Sequence, residues 1–236
     1  KIVNHLVSNY ILLPSLEHLL IDQNVATRKD KGSKLAFNLI VKYINSLMNK
    51  NKDIYCLKID ISKYFYNIDH NILKKMIMNK IKDKDALKII NQILDSTNDE
   101  YINDEIKSTI IYEKNKVLNK RISKKEKEIK LKELESIPLY KYDKGLPIGN
   151  MTSQILAVFY LNDVDHYIKE ELKHKYYVRY MDDILIFDVD LDRLKSDFKL
   201  ITEKILSLKL TINKKSNIVN LKNGVGFVGY NFSIKN

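Results

Sequence analysis

Apolar positions along the chain recur with two periods, and these divide it into helices and strands. In "SKLAFNLIVKYINSLMNK" (33–50), Leu35, Leu39, Ile40, Tyr43, Ile44 and Leu47 share one side of a 3.6-residue repeat. The spacing predicts a helix that opens at a turn on Gly32, with Ser33 as its cap. "IYCLKIDIS" (54–62) alternates instead: Tyr55, Leu57, Ile59 and Ile61 point one way, and Cys56, Lys58 and Asp60 the other. "HNILKKMIMNKI" (70–81), "DALKIINQILDS" (85–96), "SQILAVFYLNDVDHYIKEEL" (153–172) and 190–208 return to helical spacing. Residues 1–21 do so as well, interrupted by Pro14. "YYVRY" and "ILIF" read as a strand pair, and "GVGFVGYNFSI" as a short hairpin near the end. Strands and helices are mixed without a regular βαβα alternation and without internal repeats, so the pattern predicts an α+β fold.

Residues 98–136 differ from the rest. They are highly charged, lack Gly and Pro, and carry opposite charges at helical spacing. This predicts an exposed helical insertion with a solvated surface. Composition adds limits. With 44% hydrophobic and 30% charged residues, the chain is globular rather than disordered. No apolar run reaches bilayer length, and the first residues lack the pattern of a signal peptide. The lone Cys56 excludes an intramolecular disulfide and a cysteine-based zinc site. Together these predict a soluble, cytoplasmic protein. The net charge of +11, from 41 Lys and Arg against 30 Asp and Glu, favours a polyanionic partner such as nucleic acid. Heavy use of Lys, Asn and Ile also fits an A/T-rich coding bias.

The candidate chemistry lies in the carboxylates. Asp182 and Asp183 are adjacent inside an aromatic and apolar run, where strands avoid Asp and buried charge is costly. A tight turn over "MDD" would lift both to a hairpin tip, out of the core and into a cleft. Asp60 ends the alternating strand on its polar side. If that strand pairs with the hairpin, three hard oxygen donors meet, a set suited to Mg²⁺. Two such ions about 3.5–4 Å apart stabilise the attacking and leaving oxygens of an in-line phosphoryl transfer. A plain Asp-Asp turn is the alternative reading of the pair.

The motifs, taken in order, resemble those of reverse transcriptases. "RYMDDILIF" resembles motif C, "LKIDISKYFYNIDH" motif A, "KGLPIGNMTSQ" motif B, "LKLTINKKSN" motif D, "GVGFVGYNF" the motif E hairpin and "ATRKDKGSKLAF" the basic fingers segment. The resemblance implies a right-hand polymerase palm, an antiparallel sheet backed by helices, with partial fingers and no thumb. It divides the chain into a fingers-like segment (1–54), a first palm segment (55–97), the charged insertion (98–136) and a second palm segment (137–236). It implies an RNA-directed DNA polymerase that extends a DNA or RNA primer with dNTPs on an RNA template, using two Mg²⁺ ions with Mn²⁺ as a substitute. Asp60, Asp182 and Asp183 match the metal-binding triad, and the backbone carbonyl of Ile61 a further metal contact. Phe65 matches the steric gate against a 2′-OH. Arg28, with Lys29 and Lys31 nearby, matches the fingers contact to the triphosphate. Gly149 permits close backbone approach, and Thr152 or Ser153 would cap the following helix. Lys214 or Lys215 is the candidate cation beside leaving pyrophosphate. Gly229 and Tyr230 match the primer grip.

Ile148 and Gln154 depart from the common motif B, which carries Gln before the glycine and Pro after the serine. In this they resemble the reverse transcriptases of prokaryotic diversity-generating retroelements, which copy RNA with errors. An aliphatic side chain beside the nucleotide removes hydrogen bonds that help hold correct geometry, which lowers discrimination. The resemblance also leads one to expect either a fragment of a longer protein with a thumb domain or a chain that takes a separate thumb or accessory protein as partner. Two other roles compete: an antiphage-defence reverse transcriptase, and a catalytically idle nucleic-acid-binding module.

Overall fold

The computed structural model describes residues 2–49 and 53–234. Positions 1, 50–52 and 235–236, at the edges of the outer predicted segments, lie outside them. Strands β1 (Tyr55–Ile59), β2 (Tyr176–Tyr180), β3 (Asp183–Asp188) and β4 (Asn217–Asn220) form one sheet in the order β2-β3-β1-β4, and every pairing is antiparallel. Strands β5 (Val225–Phe227) and β6 (Tyr230–Phe232) form a separate hairpin. The mixed architecture and the antiparallel sheet are those expected. Among the described residues no helix is long and apolar enough to cross a membrane.

The alternation in β1 predicts one apolar and one polar face, but the structure buries both. Leu57 and Ile59 join Tyr177, Ile184 and Ile186 in a core shared with helices His70–Lys80, Lys84–Asp95, Met151–Tyr160 and Leu191–Ser207. Cys56, on the opposite face, is equally buried, with Val178, Leu185 and Phe187. That second layer is closed by Ala36, Ile40, Tyr43, Ile44 and Leu47 of helix Ser33–Met48 and by Val225, Phe227 and Phe232 of the small hairpin. Lys58 and Asp60, at the charged end of the sheet, remain partly exposed.

Some local expectations change. Ser33 is the first residue of its helix rather than the cap; Gly32 precedes it at φ +125°, a conformation glycine adopts readily. Pro14 does not end the N-terminal helix. A widened turn over Ser8–Leu12, in which the Leu13 N–H donates to Ser8 O, takes the chain into helix Leu13–Leu16, with the donorless Pro14 in its first turn. The long helix after motif B is split: Met151–Tyr160, then Asn162–His166 and a widened turn over Tyr167–Glu171. The insertion forms two helices, Glu100–Asn119 and Lys124–Glu135, the second opened by a Ser123–Glu126 capping box.

One ion pair fastens the start of helix His70–Lys80 to the segment that follows helix Leu191–Ser207. Asp69 caps helix His70–Lys80 by accepting from the Ile72 N–H (3.1 Å), and it also accepts from Lys209 Nζ (2.7 Å). Burial works against ionising Asp69, but the Lys209 and Ile72 hydrogen bonds outweigh it and hold the carboxyl below its usual range. A depressed folded value stabilises above the unfolded carboxyl pKa, about 3.9, and the benefit is lost as pH falls through the folded value. Lys209 is more than half exposed, so Lys209→Met is expected to cost only about 0.5–1 kcal/mol at pH 7. Urea titrations at pH 7 and pH 3 should show that difference shrinking on the acid side.

Candidate active site

The β2–β3 hairpin is closed by the pair Tyr180↔Asp183, leaving Met181 and Asp182 as a two-residue link. Met181 takes φ +55°, the left-handed conformation that a tight link demands. Asp182 therefore sits in the turn, while Asp183 begins β3; the expectation of both at the tip is corrected. The β1–β3 register ends at Ile59↔Ile184, so Asp60, one residue past β1, falls across from Asp183. Motif D holds Asp60 there. The Asp60 N–H donates to Ser216 Oγ (2.9 Å), and Asp60 O accepts from the Asn213 N–H (2.7 Å). Ile61 bridges Ile212, but that bridge uses Asp60 O and the Ser62 N–H, so the carbonyl of Ile61 is left out of it.

The three carboxylates act on one another. Burial, then repulsion from Asp183 and Asp60, pushes Asp182 up to about 6, with Arg179 partly offsetting. Burial also raises Asp183, Lys58 lowers it, and Asp60 raises it further. Lys58 Nζ is held by Gly226 O of the small hairpin (2.8 Å). Asp60, Asp182 and Asp183 do not draw their ligand atoms within 4.8 Å of one another; among the described residues the trio that does is His70, Asp95 and Asp143. As a donor set the three aspartates nevertheless fit a divalent cation. They are hard oxygens, partly buried, and their mutual repulsion is what a cation relieves.

What holds the turn in place is not visible in the motifs. Arg179 is fully buried and forks onto Asp165, with Nε–Oδ1 and Nη2–Oδ2 both 2.6 Å. Its Nη2 also donates to Val158 O (2.9 Å) and its Nη1 to Met181 O (2.7 Å), inside the Asp182 turn. The Tyr177 hydroxyl donates to the same carboxylate. The sequence does not single this pair out, since Asp165 lies in the short polar helix Asn162–His166 (NDVDH) beside Asp163 and His166.

Beside the carboxylates lies a cleft of about 420 Å³ lined by Lys63, Phe65, Ile148, Gly149, Gln154 and Asp182 among others. The three consecutive aromatics separate. Tyr64 is core, its hydroxyl donating to Ala157 O; Tyr66 packs on Tyr140 at 4.9 Å; Phe65 is half-buried, and all three contribute to the cleft lining. Motif B is strapped to motif A by the Leu146 N–H on Phe65 O and the Gly145 N–H on Ile68 O, both 2.8 Å. A side chain at Gly145 would meet Tyr140 Cδ1 at 2.6 Å, so the strap requires glycine. Gly149, at φ +92°, has open space where a Cβ would stand. Ile148 is 60% exposed. Thr152 and Ser153 do not cap: the helix begins at Met151, and both hydroxyls are buried within it without a hydrogen-bond partner.

Other candidates are placed less directly. The Arg28 guanidinium turns onto its own loop, donating to Ile21 O (2.7 Å) and Asn24 O (3.2 Å) beside Glu17. Reaching a triphosphate would require it to exchange those partners. Lys214 and Lys215 are exposed in the turn whose Asn213 and Ser216 grip Asp60. Val228 and Gly229 form the link of the β5–β6 hairpin, both at positive φ (44° and 82°). Tyr230 is half-exposed and packs on Phe37 at 4.9 Å.

Comparison with known proteins places this geometry in a family. The chain is 25% identical over 216 residues to the COX1/OXI3 intron 2 protein of Saccharomyces cerevisiae, covering 78% of this chain and 25% of that protein. Its fold is similar to telomerase from Candida tropicalis truncated from its C-terminal domain (TM-score 0.57, 16% identity, 98% of this chain and 42% of that one). It is also similar to telomerase from Candida albicans in complex with a fragment of telomeric RNA (TM-score 0.53, 18% identity, 98% and 36%). The chain thus spans a quarter of the intron protein and about two fifths of the telomerase chains. The reverse transcriptase (RNA-dependent DNA polymerase) family matches residues 1–232, nearly the whole chain, and this chain belongs to that family.

Proposed function

We propose that this chain carries the polymerising centre of an RNA-directed DNA polymerase, which extends a DNA or RNA primer with dNTPs on an RNA template. The observation that carries the reading is the meeting of Asp60, Asp182 and Asp183 at one end of the sheet, beside the cleft that holds Phe65. The family normally uses divalent metal ions. We assign two Mg²⁺, with Mn²⁺ as a substitute, to the three carboxylates and the carbonyl of Ile61. Bound there, they would lower the barrier to attack of a primer 3′-hydroxyl on the dNTP α-phosphate and stabilise the departing pyrophosphate. Lys215 or Lys214 supplies a cation near that leaving group, Arg28 meets the triphosphate, Gly149 lets the backbone approach the nucleotide, and Gly229 and Tyr230 position the primer end. The organisation supporting these roles is a fingers-like segment (1–54), palm segments (55–97 and 137–236) and the charged insertion (98–136).

Primer extension on an RNA template with Mg²⁺ tests the activity. RNA binding without dNTP incorporation would sink it in favour of an idle binding module. In the same assay Phe65→Val should raise ribonucleotide incorporation about 10- to 100-fold, since a smaller side chain leaves room for a 2′-OH. An unchanged ratio of ribo- to deoxynucleotide use would remove Phe65 from the gate.

A finer reading rests on Ile148 and Gln154, which line the cleft where the common motif B has Gln and Pro. We infer low fidelity, as in diversity-generating retroelements. Ile148→Gln is expected to reduce misincorporation several-fold in a sequencing-based fidelity assay; equal error rates would argue against it. A variable-repeat target gene beside this one would favour the retroelement role, and its absence the antiphage-defence role.

A further inference from the structure

His70, Asp95 and Asp143 come from three separate segments: the start of helix His70–Lys80, the end of helix Lys84–Asp95, and the loop before Gly145. One ligand-type atom from each lies within 4.8 Å of the other two. His70 is fully buried. Its Nε2 lies 2.6 Å from Gly145 O. A carbonyl only accepts, so Nε2 carries a proton. Thr97 Oγ1, 3.5 Å from the same nitrogen, is occupied in donating to Leu94 O. Nδ1 has no hydrogen-bond partner and faces Asp95 Oδ1 at 3.8 Å. His70 Nδ1 is thus a buried ring nitrogen without a hydrogen-bond partner that faces a carboxylate, a position a bound cation would satisfy. Metal-binding histidines commonly show this pattern, one nitrogen on the ion and the other N–H on a backbone carbonyl.

We propose that His70 Nδ1, Asp95 and Asp143 bind a divalent cation of the zinc class, separate from the Asp60, Asp182 and Asp183 centre. A mixed nitrogen and carboxylate donor set suits Zn²⁺ better than Mg²⁺, which prefers oxygen alone. Two groups already touch these carboxylates: Lys74 Nζ on Asp95 Oδ1 (2.5 Å) and Asn98 Nδ2 on Asp143 Oδ1 (3.0 Å). The Lys74 ammonium sits on the same Oδ1 that faces His70 Nδ1, so a bound ion would take the second oxygen of Asp95 or displace Lys74, and would take the second oxygen of Asp143. The site joins two helices to the loop that runs into the cleft wall. Asp143 O already accepts from the His70 N–H (3.0 Å), and the following residues Gly145 and Leu146 bond to Ile68 O and Phe65 O. A bound cation would therefore stiffen the loop that carries Ile148 and Gly149.

The test uses Zn²⁺ alone as probe on the full chain with Asp182→Asn and Asp183→Asn, so that the polymerase centre contributes little. Equilibrium dialysis with elemental analysis should find one zinc per chain. Tm should rise by about 5–10 °C at zinc a hundred times its Kd. In the same background His70→Gln retains a donor for Gly145 O but offers no nitrogen lone pair, and should weaken zinc binding at least about 10-fold. Asp143→Asn should do the same, and decides the matter if His70→Gln fails to fold. No retained zinc in the parent would mean that Lys74 alone satisfies Asp95, and would overturn the proposal. So would unchanged affinity in the folded variants. Because the readout is metal content, its failure leaves the polymerase reading untouched, and the reverse also holds.

Discussion

Replacing Asp182 and Asp183 together with Ala is expected to reduce primer extension at least about 1,000-fold while leaving the fold intact. The magnitude follows from removing groups aimed at charge that develops in the transition state, where the loss of even one donor costs about 100- to 1,000-fold. The fold should survive because these carboxylates are a burden to it. Burial and like-charge repulsion both disfavour the ionised form of Asp182. In chelator, Asp182→Asn should therefore be more stable than the parent. About 1 kcal/mol corresponds to a Tm rise of about 2–4 °C in a chain of this size. A site held at the expense of stability is a common mark of function. Extension that persists in the double variant would refute the assignment, and a large fall in Tm would show the pair to be structural instead.

Arg179→Ala is expected to have the largest effect on stability. The residue is fully buried, and its removal leaves Asp165 as an uncompensated charge with only Tyr177 and a long contact from Asn24 (3.5 Å) beside it. Breaking such a pair typically costs about 3–5 kcal/mol, which corresponds to a Tm loss of about 6–20 °C. It also frees Met181 O and thus the turn that carries Asp182. Replacing both partners with apolar residues, Arg179→Met with Asp165→Leu, should recover much of the stability but not the activity, because nothing then holds the turn. Thermal melts beside extension assays check both parts. Recovery of full activity in the double variant would show that Arg179 does not position Asp182.

The elements legible in the chain were those whose information is local. Alternation marked β1 and the hairpin strands, helical spacing marked 33–48 and 70–95, and charge without Gly or Pro marked the two insertion helices. Differences came where a distant segment, or a shift of a residue or two at a helix start, decided the outcome. Cys56 shares a face with Lys58 and Asp60 by period, yet it is buried because helix Ser33–Met48 and the β5–β6 hairpin cover that face. Period records which residues share a side, not what packs on it. Arg28, expected from the resemblance at the triphosphate, is held by carbonyls of its own loop, which the sequence did not indicate. Thr152 and Ser153 looked like caps because a helix start one or two residues away is indistinguishable from sequence alone.

Within the candidate site the division is similar. The amino-acid sequence by itself determined the types of group available: adjacent carboxylates between two strands, a third at a strand end, an aromatic five residues on, and a glycine-bearing loop. Their order along the chain was enough to show the family resemblance. Only the tertiary structure decided that they meet. The register Ile59↔Ile184 sets Asp60 across from Asp183, and the straps from Gly145 and Leu146 bring motif B against Phe65. Buried Arg179 props the Asp182 turn from the opposite face of the sheet. The physical reason is that a carboxylate's chemistry depends on the charges within a few ångströms of it. Asp183 and Arg179 lie beside Asp182 in the sequence, but Asp60 reaches it only through the β1–β3 pairing.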